Sequence, residues 1–144
     1  MPRITICLLP AWILMPLLLA GCFYGHGSRL PTYPASGSVF VGGKPAAGAI
    51  VQLSGRDDPK LAGLCPHAIV GADGSFRLTT YRTEDGTPAG TYAVTLRWPS
   101  PAPPDRDEGP DRFAGRYADP DRPLCQVEIT PGNNLLHRIE LSAE

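Results

Sequence analysis

The sequence predicts an all-β fold, a β-sandwich of about six or seven short strands, behind an N-terminal export segment. Glycine and proline account for 16 and 17 of the 144 residues. Both weaken helix interiors, whereas short strands joined by turns use them freely. Several segments alternate apolar and polar side chains with a period of two, as strands with one buried face do. Full disorder is the rival interpretation, and the alternating segments argue against it.

The clearest strand is 92–98 (YAVTLRW), in which every second residue from Tyr92 to Trp98 is large and apolar. In 49–54 the small and branched side chains of Ala49, Val51 and Leu53 share one face, and in 75–79 Phe76 and Leu78 point inward. Further strands are predicted at 36–41, 125–129 and 135–141.

Turn residues separate these strands. Gly42-Gly43 and Asp73-Gly74 are hairpin signals, because glycine adopts the positive φ values that tight turns need. Asp85-Gly86 precedes the clearest strand, and Pro131-Gly132 separates the last two. The spacing of strands and turns is that of a sandwich.

Residues 1–21 are predicted to be a signal peptide. Arg3 supplies a positive start, and an apolar stretch runs from Ile4 to Leu19. This stretch is short for a membrane span and contains Pro10 and Pro16, so a transmembrane helix is the weaker interpretation.

The end of this segment, Leu19-Ala20-Gly21-Cys22, resembles the lipobox of bacterial lipoproteins. The resemblance implies cleavage between Gly21 and Cys22 and acylation of Cys22, which would attach the protein to a membrane. An ordinary signal peptide with a cysteine after its cleavage site is the alternative. Phe23 rather than aspartate follows the cysteine, which in a diderm cell resembles lipoproteins sorted to the outer membrane.

Residues 22–35 are predicted to be the lipidated cysteine and a flexible tether, and residues 36–144 the folded domain. Glycine or proline flanks nearly every apolar residue of the tether, so no periodicity can build up. The formal net charge of −1 gives no electrostatic reason to expect nucleic acid or anionic lipid as a partner.

The domain resembles carboxypeptidase regulatory-like domains with the transthyretin-like sandwich, which occur in small planctomycete lipoproteins. The matching motifs are 37–45 (GSVFVGGKP), 48–51 (GAIV), 72–76 (ADGSF), 85–92 (DGTPAGTY), 116–120 (RYADP) and Pro131-Gly132. The resemblance implies a seven-stranded Greek-key sandwich without enzymatic activity, since the catalytic domain of the carboxypeptidases is missing here.

Cys65 and Cys125 remain in the body once the leader and Cys22 are set aside. An even pair in an exported chain predicts a disulfide, and two separate thiols are the alternative. Cys125 shares the face of Val127 and Ile129, so it is predicted to point inward.

A zinc site made of Cys65, His67, Cys125 and His137 has suitable ligand types, but its spacing matches no known zinc pattern. We therefore expect no metal and no cofactor. The charged segment 105–122 mixes aspartates with arginines, which favours a flexible solvated loop over paired catalytic carboxylates or a calcium loop.

These observations predict a non-enzymatic, membrane-anchored lipoprotein of the cell envelope that displays a sandwich for envelope structure or protein interaction. Its partners would be the membrane, through the lipid, and an unknown envelope protein or glycan, in contact with an exposed sheet edge or the 99–116 loop. The alternative is a carbohydrate-binding module, for which Trp98, Tyr81 and Tyr117 are the candidate contacts.

Overall fold

The computed structural model describes residues 29–143, and this part of the chain is built from strands. The strands are β1 (Thr32–Tyr33), β2 (Ala35–Val41), β3 (Lys44–Pro45), β4 (Ile50–Gly55), β5 (His67–Ile69), β6 (Ser75–Arg77), β7 (Thr87–Pro88), β8 (Gly90–Arg97), β9 (Cys125–Ile129), β10 (Asn134–Leu135) and β11 (Ile139–Leu141). A single 3₁₀ turn, Pro59–Leu61, is the only helical element of the described range. The prediction of an all-β fold is confirmed. Residues 29–143 contain no helix long and apolar enough to cross a membrane.

The signal segment 1–21, the cleavage site at Gly21 and the lipid site at Cys22 lie outside the described residues and stay predictions.

One sheet has four antiparallel strands in the order β5-β4-β8-β9. The β4–β8 pairing is the longest and runs from Ile50 opposite Arg97 to Gly55 opposite Tyr92. On the other side of β8, Gly90 lies opposite Ile129 and Val94 opposite Cys125. Strand β8 is therefore the strand that fixes the register of this sheet.

The second sheet is organised around β2. Strands β3 and β6 pair with β2 in the antiparallel sense, and β10 and β11 pair with it in the parallel sense. A small separate sheet joins β1 to β7. The described range divides into more and shorter strands than the seven predicted. The count of seven and the Greek-key order therefore stay predictions.

The core lies between the two larger sheets. Val39 and Phe76 from the β2 sheet and Val51, Leu53 and Val94 from the β8 sheet belong to one buried cluster. The inward positions predicted for Ala49, Val51, Leu53, Phe76 and Leu78 are all correct, since each is at most 3% exposed.

Strand β8 departs from the half-buried pattern predicted for it. Tyr92, Val94 and Leu96 are buried as expected, but Ala93 and Thr95 on the opposite face are buried too. Thr95 keeps its hydroxyl satisfied by donating to the Gln52 carbonyl at 3.2 Å. The Tyr92 hydroxyl donates to the Pro88 carbonyl at 2.9 Å, and burial raises the pKa of Tyr92 above its ordinary value.

The predicted single strand 135–141 is divided into β10 and β11 by a bulge. Asn134 lies opposite Ala35, which is a difference of 99 in residue number, whereas Ile139 lies opposite Val39, a difference of 100. One extra residue is thus inserted relative to β2, and such an insertion reverses the face on which later side chains lie. An unbroken strand would place Leu135 and Leu141 on the same face, whereas here Leu135 is 84% exposed and Leu141 is 9% exposed.

The folded domain begins before the predicted boundary at residue 36. Thr32 and Tyr33 form β1, and Ala35 is 4% exposed and belongs to the core cluster. The predicted tether 22–35 is therefore too long at its carboxyl end. Pairing of β1 with β7 orders the end of this segment, and the local sequence does not reveal that pairing.

Gly86 lies where this N-terminal segment crosses the loop before β7. A Cβ at residue 86 would lie 1.9 Å from the Tyr33 carbonyl oxygen, and the residue has a φ of +84°. Gly48 has a φ of +80° with nothing within 4 Å of its ideal Cβ, so the two positions share the backbone strain and differ in the clash.

We predict that Gly86→Ala destabilises the domain by about 1–3 kcal/mol more than Gly48→Ala, because overpacking adds to the cost of a left-handed φ. Urea unfolding of both variants, compared with the unaltered chain, measures this difference. Equal losses of stability in the two variants would show that Gly86 does not lie against the Tyr33 carbonyl at the end of β1.

Candidate functional site

An aromatic cluster lies at the carboxyl end of β8. The indole nitrogen of Trp98 donates to the Ala47 carbonyl at 2.9 Å. The Phe113 ring lies 6.0 Å from the Trp98 ring, and the Tyr117 ring lies 5.0 Å from Phe113. The long loop after β8 thus folds back so that Phe113 packs against Trp98, the residue at which the loop begins.

The geometry of these rings differs from a sugar-binding platform. The Trp98 and Phe113 planes are inclined by 38°, and Phe113 meets Tyr117 edge to face at 73°. The Arg112 guanidinium covers the Trp98 ring at 4.4 Å. Because stacking on a sugar needs exposed ring faces that share a plane, this arrangement does not favour the carbohydrate-binding alternative.

Tyr81, the third candidate contact, does not join this cluster. It lies in the loop before β7, where its hydroxyl accepts from the Leu30 amide at 3.2 Å. The Asp85 carboxylate holds this loop by accepting from the backbone amides of Thr80 at 2.7 Å and Arg82 at 2.9 Å. The three predicted contacts are therefore divided between two places in the fold, and only Trp98 and Tyr117 are brought together.

Asp111 fastens the loop after β8. Its carboxylate accepts from the backbone amides of Trp98 at 2.8 Å, Phe113 at 3.3 Å and Gly115 at 2.9 Å. Partial burial acts to raise the pKa of Asp111, but these amides and the nearby Arg97 outweigh it and leave the pKa below its ordinary value. The ionised form is therefore the one that holds the loop.

The same loop is closed along its length. Ser100 donates its amide to the Pro110 carbonyl at 2.9 Å, and Arg112 donates to the Trp98 carbonyl at 2.8 Å. Arg97 and Glu108 form an ion pair at 3.1 Å. The structure does not support a flexible solvated loop over 105–112 of the predicted segment 105–122, because Glu108 and Asp111 cross-link this part to Arg97 and Trp98.

Two clefts that the sequence analysis missed meet at Arg77 and Glu84. One, of about 450 Å³, lies between β5 and β6 and is lined by Ile69 and Thr83. The other, of about 310 Å³, is lined by Leu135 and Asn134. Arg77 and Glu84 line both clefts and lie 3.9 Å apart.

Each cleft carries one exposed large apolar side chain, since Ile69 is 68% and Leu135 84% exposed. The sequence predicts no strand at β5, and it predicts Leu135 only as the first residue of a strand 135–141, without indicating that its side chain is exposed. The feature that marks each cleft is an exposed apolar side chain. The sequence does not show which apolar side chains are exposed, because exposure depends on the tertiary structure.

Cys65 and Cys125 are both free and exposed. Cys125 on β9 lies opposite Val94 on β8, which in turn lies opposite Leu53 on β4. On the other side of β4, the Leu53 amide donates to the carbonyl of Pro66, the residue after Cys65. The two cysteines therefore lie at opposite edges of the four-stranded sheet, about 14 Å apart at three strand spacings. A disulfide needs Cα atoms within about 7 Å, so the structure does not support the predicted bridge.

The inward position predicted for Cys125 is also wrong. Strand β9 is buried only at Ile129, and its beginning at Cys125 extends beyond the core. Partial desolvation nonetheless raises the pKa of the Cys125 thiol. Alternation identified the face correctly, but not where along the strand the core ends.

The conceivable zinc ligands are dispersed. His67 Nδ1 lies 3.2 Å from the Cys65 carbonyl oxygen, while Cys125 is at the opposite edge and His137 lies between β10 and β11. Within residues 29–143, no three His, Cys, Asp or Glu side chains are grouped closely enough to hold a metal ion.

Comparison with known proteins gives only weak structural likenesses. No protein-family profile matches the chain, and no curated protein matches it. A DUF3823 family protein from Parabacteroides merdae is 18% identical with a TM-score of 0.42, over 79% of this chain and 46% of that one. This chain thus spans about half the length of that protein. A 5-hydroxyisourate hydrolase from Klebsiella pneumoniae is 20% identical with a TM-score of 0.38, over 80% of this chain and 91% of that one.

The second likeness corrects the expectation that the chain is not an enzyme. That expectation came from a resemblance to domains without activity, whereas one of these structural neighbours is itself a hydrolase. At this level of similarity neither neighbour assigns an activity or a substrate to the present chain.

We predict that Asp111→Ala destabilises the protein at neutral pH by about 1–2 kcal/mol, because three backbone amides lose a charged acceptor. The pKa of Asp111 is lower in the folded state, so its contribution is present above the unfolded value of about 3.9 and is lost as the pH falls through the folded value. Urea unfolding at pH 7 and near pH 3 should show the deficit shrinking at the lower pH. Asp107→Ala is the matched control, and an equal effect there would contradict the role of Asp111.

We predict that both thiols of the folded, unreduced protein react with a maleimide. The reaction at Cys125 should be slow at neutral pH and accelerate as the pH rises, because its raised pKa leaves little thiolate at neutral pH. Peptide mapping by mass spectrometry locates the labels. An unlabelled peptide pair joining Cys65 to Cys125 would contradict this arrangement.

Proposed function

We propose that this chain is a lipoprotein of the cell envelope, anchored by acylation of Cys22, that displays a transthyretin-like β-sandwich for envelope structure or protein interaction. The observation that carries the proposal is the Leu19-Ala20-Gly21-Cys22 motif at the end of an apolar segment. The folded domain supports it, since β1 begins at Thr32, ten residues after Cys22.

The physical basis of anchoring is the burial of acyl chains. Each buried methylene contributes roughly 0.8 kcal/mol, and two or more chains hold a protein stably at a bilayer. In a diderm cell, Phe23 after the cysteine favours the outer membrane. The protein then needs no membrane-crossing element of its own.

The displayed domain offers two kinds of contact surface to a protein partner. One is the outer edge of β9, which is an end strand of its sheet, with exposed Gln126 and Glu128. The other is the closed loop 98–112, in which Asp111 accepts hydrogen bonds from the backbone amides of Trp98 and Gly115. A pre-ordered loop loses less conformational entropy on binding than a mobile one.

We predict that the mature N-terminal peptide begins at Cys22 and carries acyl chains, and that Cys22→Ser moves the protein from the membrane fraction to the soluble fraction. Mass spectrometry of the N-terminal peptide and fractionation of expressing cells measure the two effects. Cys65→Ser is the control and should leave the protein in the membrane fraction.

An unmodified N-terminus, or a Cys22→Ser variant that stays in the membrane fraction, would overturn the lipoprotein proposal. Circular dichroism of the Cys22→Ser protein shows whether the sandwich is retained, so that loss of anchoring is not confused with unfolding.

A further inference from the structure

The N-terminal segment of the described chain is fixed to one end of the sandwich. Arg29 stacks over the Tyr81 ring at 5.4 Å, and the Leu30 amide donates to the Tyr81 hydroxyl at 3.2 Å. Strand β1 then pairs with β7, with Tyr33 opposite Thr87. The point at which the chain enters the domain is therefore set by the loop 79–86.

The long strands run between two distinct ends of the molecule. We call the end that contains residues 29–34, 56–61 and 79–90 the proximal end. A Cβ at Gly90 would lie 2.5 Å from the Leu61 side chain, and the Arg56 amide binds the Thr91 carbonyl, so the start of β8 and the end of β4 meet here.

We call the end that contains residues 42–48, 70–74 and 98–112 the distal end. Trp98, just after β8, binds the Ala47 carbonyl, and the Gly48 amide binds the Val70 carbonyl. Strand β8 connects the two ends, and its eight residues from Gly90 to Arg97 span about 23 Å.

The covalent chain limits how far the proximal end can lie from a lipid on Cys22. Residues 22 and 29 are separated by seven peptide steps, each of which covers at most about 3.6 Å, so their Cα atoms are at most about 25 Å apart. Tyr33 and Tyr81 lie at this end beside the half-buried Leu30. Side chains with an apolar ring and a polar tip suit a membrane–water interface.

We propose that the proximal end faces the lipid bilayer and that the distal end, with the loop 98–112, is the surface presented away from it. This inference rests on the proposed lipid at Cys22. It selects the distal loop over the edge of β9 as the partner-binding surface, because β9 runs from beside the middle of β8 to the proximal end, where Ile129 lies opposite Gly90.

The test measures the distance of each end from the membrane in the lipidated protein. Cys65→Ser and Cys125→Ser remove the native thiols, and one new thiol is introduced at a time: Arg82→Cys at the proximal end, or Ala72→Cys or Ala102→Cys at the distal end. All three positions are exposed. A donor fluorophore on each thiol and acceptor-labelled lipids in phosphatidylcholine vesicles give the distance of closest approach by energy transfer.

We expect the label at residue 82 to lie about 20 Å closer to the bilayer than the labels at 72 and 102, as the length of β8 requires. A variant with twenty Gly/Ser residues inserted before Arg29 is the matched control. The difference between the label distances should shrink in it, because the longer chain between Cys22 and Arg29 no longer limits the orientation of the domain. Equal distances at all three positions, or a shorter distance at residue 72 or 102, would overturn the orientation while leaving the lipid in place. An N-terminal peptide without lipid would overturn the proposed function, and the orientation with it.

Discussion

The register of β8 is the constraint on which the rest of the structure depends. Its pairing with β4 on one side and β9 on the other places Gly90 at one end of the sandwich and Arg97 at the other. Because β8 is buried on both faces, a shift of one residue would exchange Val94 and Leu96 for Ala93 and Thr95 on the core side. The loops at both ends, the aromatic cluster and the separation of the cysteines all follow from this register.

One kind of interaction, a carboxylate that accepts hydrogen bonds from backbone amides, fixes the loops at both ends of the sandwich. Asp85 at the proximal end and Asp111 at the distal end each present a carboxylate to several backbone amides of its own loop. A carboxylate can satisfy donors that a turn leaves unpaired, and bonds to a charged acceptor are stronger than neutral ones. The first loop receives the N-terminal segment and the second closes over Trp98, so one simple interaction orders the entrance of the chain and its most prominent surface loop.

The places where sequence reasoning failed share a cause. The pairing of cysteines, the grouping of aromatic residues and the extent of the tether each depend on which strands are neighbours. Cys65 and Cys125 are an even pair in an exported chain, yet two strands lie between them. Tyr81 and Trp98 are both partly exposed aromatics, yet they lie at opposite ends of β8. The bulge before β11 is a further case, because one inserted residue puts Leu135 and Leu141 on opposite faces although no turn signal lies between them.

What the sequence by itself determined was local: the all-β class, the inward faces of 49–54 and 75–79, and the turns at Gly42-Gly43 and Asp73-Gly74. These follow from side-chain alternation and from the conformational freedom of glycine, both of which act over a few residues. The tertiary structure alone decided that residues 32–35 join the fold, that the cysteines are apart, that the charged loop is closed by Asp111, and that the entering chain and the Trp98 loop occupy opposite ends. Each of these depends on contacts between residues distant in sequence, whose geometry is set by strand order and register rather than by local pattern.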